Sequence, residues 1–149
     1  MTSLEKTLVN ASAARRSLNV IGTETIDLIL ERLSEEAVNR MEFVLAGNSR
    51  DLALMDRSNP LYDRLMLTEE RLWSISNDIM KVSEMESPLG QILSEYDRPD
   101  GMKISRISVP FGVIGIIYEA RPNVTFDVFS LCLKSGNVCI LKGGSDAIN

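Results

Sequence analysis

Histidine is absent from this 149-residue sequence, and cysteine occurs only twice, as Cys132 and Cys139. Without imidazole, the sequence offers neither a histidine-based zinc site nor a nucleophile activated by histidine. Both cysteines lie within apolar runs, and they lack the Cys-x-x-Cys spacing typical of zinc and redox sites. We therefore expect no metal site and no histidine-dependent catalysis in these residues.

Long apolar runs are also missing. No run approaches the roughly 18 residues that a membrane-spanning helix needs, and the first residues lack the basic and apolar regions of a secretory signal. Apolar residues make up 44% and charged residues 25% of the chain, which is typical of a globular domain with one core. We expect a cytoplasmic protein that contacts no membrane.

Positive charge is scarce in the first two-thirds of the chain. Residues 1–100 carry 11 Lys and Arg against 18 Asp and Glu, whereas residues 101–149 carry 5 against 3. This distribution argues against nucleic-acid binding by the first two-thirds, and the mildly basic end suits an anionic small molecule. Acidic helices that are merely solvated would explain the same distribution.

Apolar residues recur at helical spacing throughout residues 1–88, so we predict that this region is helical. A first helix is predicted up to about Ser17, and a second is predicted to begin after an N-cap at Thr23. The apolar stripe that follows Thr23 is interrupted at Gly47 and Asn48, and it fits either one long helix or two shorter ones. A short helix or helical turn at 61–67 and a helix capped by Thr68 complete the region.

Beyond residue 88 the period of the apolar pattern changes from 3.6 to 2. Residues 92–96 and 102–109 alternate apolar and polar side chains around the turn-forming residues 97–101. The sequence therefore predicts an antiparallel β-hairpin over 89–109. Its edges need cover, and a partner subunit is one possible source of that cover.

Residues 110–149 show the pattern of a βαβ unit. The stretch 113–118 is short, apolar and β-branched, as in a strand buried on both faces of a parallel sheet. A helix over 123–135 and a second strand over 138–141 follow, with Gly136 and Asn137 ending the helix. The predicted fold class is α/β.

Polar residues follow both predicted parallel strands, and such strand ends border the crevice where open α/β sheets bind ligands. Glu119, Arg121 and Asn123 follow the first strand. After the second, Lys142 offers a cation, and Gly143 and Gly144 let a ligand approach the backbone. A glycine pair after a strand is also an ordinary turn, and the usual dinucleotide fingerprint is missing. The residues alone leave nucleotide binding and a simple turn as alternatives.

Three segments carry a more specific signal: 110–125, 131–137 and 140–145. They resemble the gamma-glutamyl phosphate reductase family of the aldehyde dehydrogenase superfamily, and the rest of the chain resembles the N-terminal third of that family more loosely. The resemblance implies that residues 1–149 are a partial NADP-binding domain. It would contain the first βαβ unit of an incomplete Rossmann-like fold of the aldehyde dehydrogenase type, and the catalytic domain would be absent.

The activity implied by the resemblance is NADPH-dependent reduction of L-glutamyl 5-phosphate to L-glutamate 5-semialdehyde, with release of phosphate, in proline biosynthesis. The family's nucleophile is a cysteine thiolate in a later part of the chain, and neither Cys132 nor Cys139 is placed to replace it. We therefore expect this chain alone to be inactive. The family also implies a homo-oligomer and possible channelling of substrate from glutamate 5-kinase.

The resemblance also assigns site residues. Asn123 corresponds to a contact of the developing oxyanion. Independently of the resemblance, the residues around Arg121 make it a candidate for binding an anionic substrate, with a simple surface charge as the alternative. The residues implied in NADP(H) binding are Tyr118, Glu119, Ala120, Lys142, Gly143, Gly144, Ser145 and Asp146. The alternative hypothesis is a catalytically dead module of the same family that binds a nucleotide or mediates oligomerisation.

Overall fold

The structure is a computed structural model that describes residues 2–119 and 121–149. Within these residues, five helices occupy the first part of the chain, and four strands with one further helix follow, as the sequence predicts. The elements are α1 (Ser3–Leu18), α2 (Thr23–Asn39), α3 (Met41–Ala53), α4 (Tyr62–Leu65), α5 (Glu69–Glu84), β1 (Ile92–Asp97), β2 (Lys103–Ile107), β3 (Val113–Ile117), α6 (Pro122–Lys134) and β4 (Val138–Lys142).

Among the described helices, α1 and α5 begin at a side-chain cap, and one predicted cap is wrong. Thr68 caps α5 as predicted, because its hydroxyl accepts a hydrogen bond from the backbone N–H of Arg71. The predicted N-cap at Thr23 is wrong, since Gly22 is the N-cap and Thr23 is the first helical residue. The carbonyl of Gly22 already accepts the N–H groups of Thr25 and Ile26, so the helix begins one residue earlier than its side chains suggest.

The long apolar stripe belongs to two helices, and they meet at Arg40 rather than at Gly47 and Asn48. Asn48 is buried inside α3, where its side chain donates to the carbonyl of Leu65 and accepts the N–H of Leu67, both at 2.8 Å. Gly47 leaves room for the chain end, because a Cβ there would lie 3.1 Å from the carbonyl oxygen of Asn149. These two residues therefore join α3 to other segments and do not interrupt it.

The main core lies between α2 and α5, whose apolar stripes face each other. A polar contact crosses the same interface, where the hydroxyls of Ser34 and Ser76 lie 2.8 Å apart. The buried apolar side chains of this core are Ile26, Leu30, Leu72, Ile75 and Ile79.

A buried ion pair fixes α6 against these two helices. Lys134 is 5% exposed, and its ammonium donates to the carboxylate of Asp27 at 2.6 Å and to the carbonyl of Ser83 at 2.7 Å. Because α6 connects β3 to β4, the pair also sets the position of the sheet relative to the helices.

The predicted hairpin and βαβ unit are both confirmed. Strands β1 and β2 pair antiparallel, and β3 and β4 pair parallel with α6 between them in the chain. The expectation that β3 is buried on both faces is wrong for this chain. Its side chains alternate between half-buried and exposed, and Ile117 is 86% exposed, because the described helices cover β3 only in part.

No helix of the described residues has both the length and the apolar character that would let it cross a bilayer.

Candidate functional site

The ends of β3 and β4 lie side by side, as their parallel pairing requires. Ile117 is the register partner of Lys142, and the backbone N–H of Tyr118 donates to the carbonyl of Lys142 at 3.1 Å. The polar residues that follow the two strands are therefore neighbours in space, because parallel strands end at the same edge of a sheet.

A cavity of about 260 Å³ opens at this edge, between the strand ends and α3. Tyr118, Arg121, Gly143 and Gly144 line it, and we call it the strand-end cavity. The hydroxyl of Tyr118 lies 2.6 Å from that of Thr125, which fixes the tyrosine ring against α6. The structure thus brings together three of the residues predicted for cofactor binding and the arginine predicted for substrate binding.

The other described residues that were predicted for cofactor binding do not line this cavity. Lys142 is exposed, and its ammonium donates to the carbonyl of Gly143 at 2.6 Å. The carboxylate of Glu119 lies 3.8 Å from the guanidinium of Arg64. Ser145 and Asp146 are exposed and line a separate cavity of about 230 Å³ beside the end of α3. Ala120 lies outside the described residues.

A second cavity, of about 420 Å³, lies where α4, α5 and the start of α6 meet. It contains the predicted Asn123, and it shares Arg121 with the strand-end cavity, so the two cavities adjoin. We call it the charged cavity, because six of its lining residues are ionisable: Asp63, Asp78, Asp127, Arg64, Arg71 and Arg121.

Five of these six residues were missed by the sequence reasoning, which singled out only Arg121. Asp127 follows Asn123 by four residues on α6 and therefore lies on the same helix face, a spacing that could have identified it. Arg71 holds the segment around α4, since its guanidinium donates to the carbonyls of Asp63 and Met66, both at 2.6 Å. No pattern in the sequence links α4 to α6.

The electrostatics of the charged cavity centre on Asp127, which is half-buried. Burial raises the pKa of this carboxyl, and the charge of Asp78 raises the pKa further. The side-chain amide of Asn123, which donates to Asp127 at 3.5 Å, acts in the opposite direction. Asp78 has its own cation, because the ammonium of Lys81 lies 2.8 Å from its carboxylate.

Neither cysteine lies in the two cavities. Cys132 is buried on α6, Cys139 is half-buried in β4, and burial raises the pKa of both thiols. A raised pKa keeps a thiol protonated near neutral pH and therefore weakly nucleophilic. Within residues 2–119 and 121–149, no group of three or more Cys, Asp or Glu side chains is arranged to hold a metal ion.

No protein-family model matches the chain. Among curated proteins, it is 58% identical over 146 residues to the gamma-glutamyl phosphate reductase of Bacteroides thetaiotaomicron, covering 98% of this chain and 35% of that protein. It is 48% identical over 146 residues to the protein of the same name from Legionella pneumophila strain Lens, with the same coverage. The chain spans about a third of the length of these relatives.

Solved structures of gamma-glutamyl phosphate reductases are also similar to this chain. The gamma-glutamyl phosphate reductase of Thermotoga maritima matches with a TM-score of 0.92 and 33% identity, over 98% of this chain and 36% of that one. The corresponding structure from Saccharomyces cerevisiae matches with a TM-score of 0.92 and 28% identity, over 100% and 39%. A probable aldehyde dehydrogenase from Listeria monocytogenes, 14% identical with a TM-score of 0.69 over 96% and 29%, shows the fold alone. The α/β fold of the aldehyde dehydrogenase type and the resemblance inferred from the sequence are both confirmed.

Proposed function

We propose that this chain, which resembles gamma-glutamyl phosphate reductases along nearly its whole length, is the partial NADP-binding domain of an enzyme with that activity. The reaction is NADPH-dependent reduction of L-glutamyl 5-phosphate to L-glutamate 5-semialdehyde, with release of phosphate, in proline biosynthesis. The observation that carries the proposal is 58% identity over 146 residues to a relative of that name. Because the chain spans 35% of that relative, the nucleophile and the rest of the catalytic domain are expected in the remaining part.

The residues at the strand ends fit NADP(H). Gly143 and Gly144 line the strand-end cavity beside Tyr118, and the absence of side chains there leaves the backbone open to a ligand. Lys142 adds an exposed cation that suits the cofactor's ribose phosphate. Glu119, Ala120, Ser145 and Asp146 complete the proposed contacts. When bound, NADPH supplies the hydride that reduces the acyl group.

On the substrate side, Arg121 and Asn123 are proposed to act at the charged cavity. The guanidinium of Arg121 binds an anionic group of the substrate, and the side-chain amide of Asn123 donates a hydrogen bond to the developing oxyanion. Both side chains are exposed, so they are accessible to a ligand. In this role the chain binds and orients the substrate, and it does not provide the nucleophile.

The exposed hairpin of β1 and β2 favours a second candidate function, which is subunit assembly. If assembly were its only function, the chain would be a catalytically dead oligomerisation module. Every residue of β1 is exposed, and Ile92 and Tyr96 are 63% and 58% exposed. An unpaired strand edge with apolar side chains needs cover. We propose that a second copy of the chain supplies it in a cytoplasmic homo-oligomer, which would receive its substrate from glutamate 5-kinase.

The proposal predicts that the 149-residue chain has no reductase activity by itself, because neither thiol is placed or activated to form an acyl-enzyme. The measurement is NADP-dependent oxidation of glutamate 5-semialdehyde in the presence of phosphate, compared between the chain and the complete enzyme. The complete enzyme should turn over and the chain should not. Turnover by the chain that is abolished by Cys132→Ala or Cys139→Ala would show that the nucleophile lies within residues 1–149.

A second prediction concerns Lys142, whose replacement by methionine in the complete enzyme should weaken NADPH binding by about 10- to 100-fold. A charge-assisted hydrogen bond typically contributes about 1.5–3 kcal/mol, which corresponds to that range. NADPH fluorescence titration measures the affinity. Lys103→Met is the matched control, since Lys103 is an exposed lysine that pairs with Glu95 on the hairpin. Equal NADPH affinity in an equally stable Lys142→Met enzyme would reject the role.

A further inference from the structure

The charged cavity contains both carboxylates, which can bind a cation, and guanidinium groups, which can bind an anion. Its volume of about 420 Å³ lies within the range of small-molecule pockets, roughly 300–1,000 Å³. We propose that it binds the amino-acid end of the L-glutamyl substrate: the carboxylates of Asp127 and Asp78 receive the α-ammonium, and the guanidinium of Arg121 receives the α-carboxylate. This inference rests on the function proposed above and assigns the substrate's binding groups within it.

The argument for the ammonium starts from Asp127. Its carboxylate is half-buried, and its hydrogen bond from the described residues is a long one, from the amide of Asn123 at 3.5 Å. The negative charge of Asp78 disfavours the ionised form of Asp127. The ammonium of Lys81 pairs with the carboxylate of Asp78. An ammonium bound beside Asp127 would stabilise its ionised form, and Asp78 lines the same cavity as a second acceptor.

The argument for the carboxylate starts from the three arginines of the cavity. Arg71 has its guanidinium engaged by Asp63 and Met66, and the guanidinium of Arg64 lies 3.8 Å from Glu119. Arg121 is exposed, and within the described residues its only hydrogen bond is at the backbone, where its carbonyl accepts the N–H of Val124, so its guanidinium has no partner. Its planar guanidinium is therefore available for the two parallel hydrogen bonds that a carboxylate accepts.

A zwitterion fits this lining better than a simple ion does. A free phosphate would approach Arg121 but would be repelled by Asp78 and Asp127, which line the same cavity. A divalent cation would have three carboxylates but also three guanidinium groups around it, which leaves no excess of negative charge. The α-ammonium and α-carboxylate of an amino acid match both signs at once.

The test compares two aldehydes in the complete enzyme, L-glutamate 5-semialdehyde and glutarate semialdehyde, which lacks only the α-amino group. For Asp127→Asn we expect KM for the amino-bearing aldehyde to rise about 10- to 100-fold, with little change for the analogue. For Arg121→Gln, KM should rise for both aldehydes, because both carry the carboxylate. Asp127→Glu should retain part of the preference for L-glutamate 5-semialdehyde over glutarate semialdehyde, because the substitution keeps the negative charge.

Glu84→Gln is the matched control, since Glu84 is an exposed carboxylate on the same helix as Asp78 and does not line the cavity. Thermal melting checks that every variant folds. An unchanged ratio of the two KM values in a folded Asp127→Asn enzyme would overturn the inference while leaving the proposed function in place. Failure of the unmodified enzyme to oxidise either aldehyde would overturn the proposed function, and this inference with it.

Discussion

Leu72→Ala should lower the free energy of unfolding by about 3–5 kcal/mol, because it empties the centre of the interface between α2 and α5. Leu72 is 0% exposed and packs in the same cluster as Leu30 and Ile75. Truncation removes buried methyl groups and leaves a cavity that two packed helices cannot close completely. Urea denaturation followed by circular dichroism measures the difference.

Leu54→Ala is the control for this experiment. Leu54 is 81% exposed at the end of α3, so the same change of side chain should alter the free energy of unfolding by less than about 0.5 kcal/mol. If Leu72→Ala costs no more than Leu54→Ala does, the core is not centred on these two helices.

Lys134→Met should lower the free energy of unfolding by about 2–4 kcal/mol, although methionine fits the apolar part of the lysine side chain. The substitution leaves the carboxylate of Asp27 and the carbonyl of Ser83 without their hydrogen-bond donor. Asp27 is itself one-third exposed, and water can therefore compensate in part. Urea denaturation at neutral pH measures the effect.

Lys81→Met provides the comparison, because Lys81 also pairs with an aspartate on a helix but is 70% exposed. Its loss should cost no more than about 0.5 kcal/mol, as is usual for an exposed pair. A double-mutant cycle with Asp27→Asn isolates the coupling between Lys134 and Asp27. A coupling energy near zero would show that Lys134 acts through packing alone.

The elements of the fold were largely predictable from the sequence because their signals are local. The capping of α5 by Thr68, the alternation of β1 and β2, and the βαβ pattern of residues 110–149 each depend on neighbours within a few positions. The errors arose where a local signal competes with a distant contact. Gly47 and Asn48 look like a helix break, yet they are required by contacts with Asn149, Leu65 and Leu67.

One part of the candidate site could be predicted from the sequence, and the other part could not. The pairing of β3 with β4 in a parallel sheet places Tyr118 beside Gly143, so that part of the site follows from the pattern of strands and glycines. The charged cavity does not follow from it, because Arg64, Asp78 and Asp127 come from three helices whose packing no short stretch of sequence specifies.

The sequence by itself determined the helical first half, the hairpin and the βαβ unit, since periodicity, capping and turn chemistry act over a few residues. The family resemblance rests on the residues of segments 110–125, 131–137 and 140–145. Only the tertiary structure decided which charges face each other. Lys134 meets Asp27 across 107 positions of the chain, and Asp127 of α6 and Asp78 of α5 line the same cavity. The physical reason is that burial and Coulomb interactions depend on distance in space, which is fixed only when the helices pack.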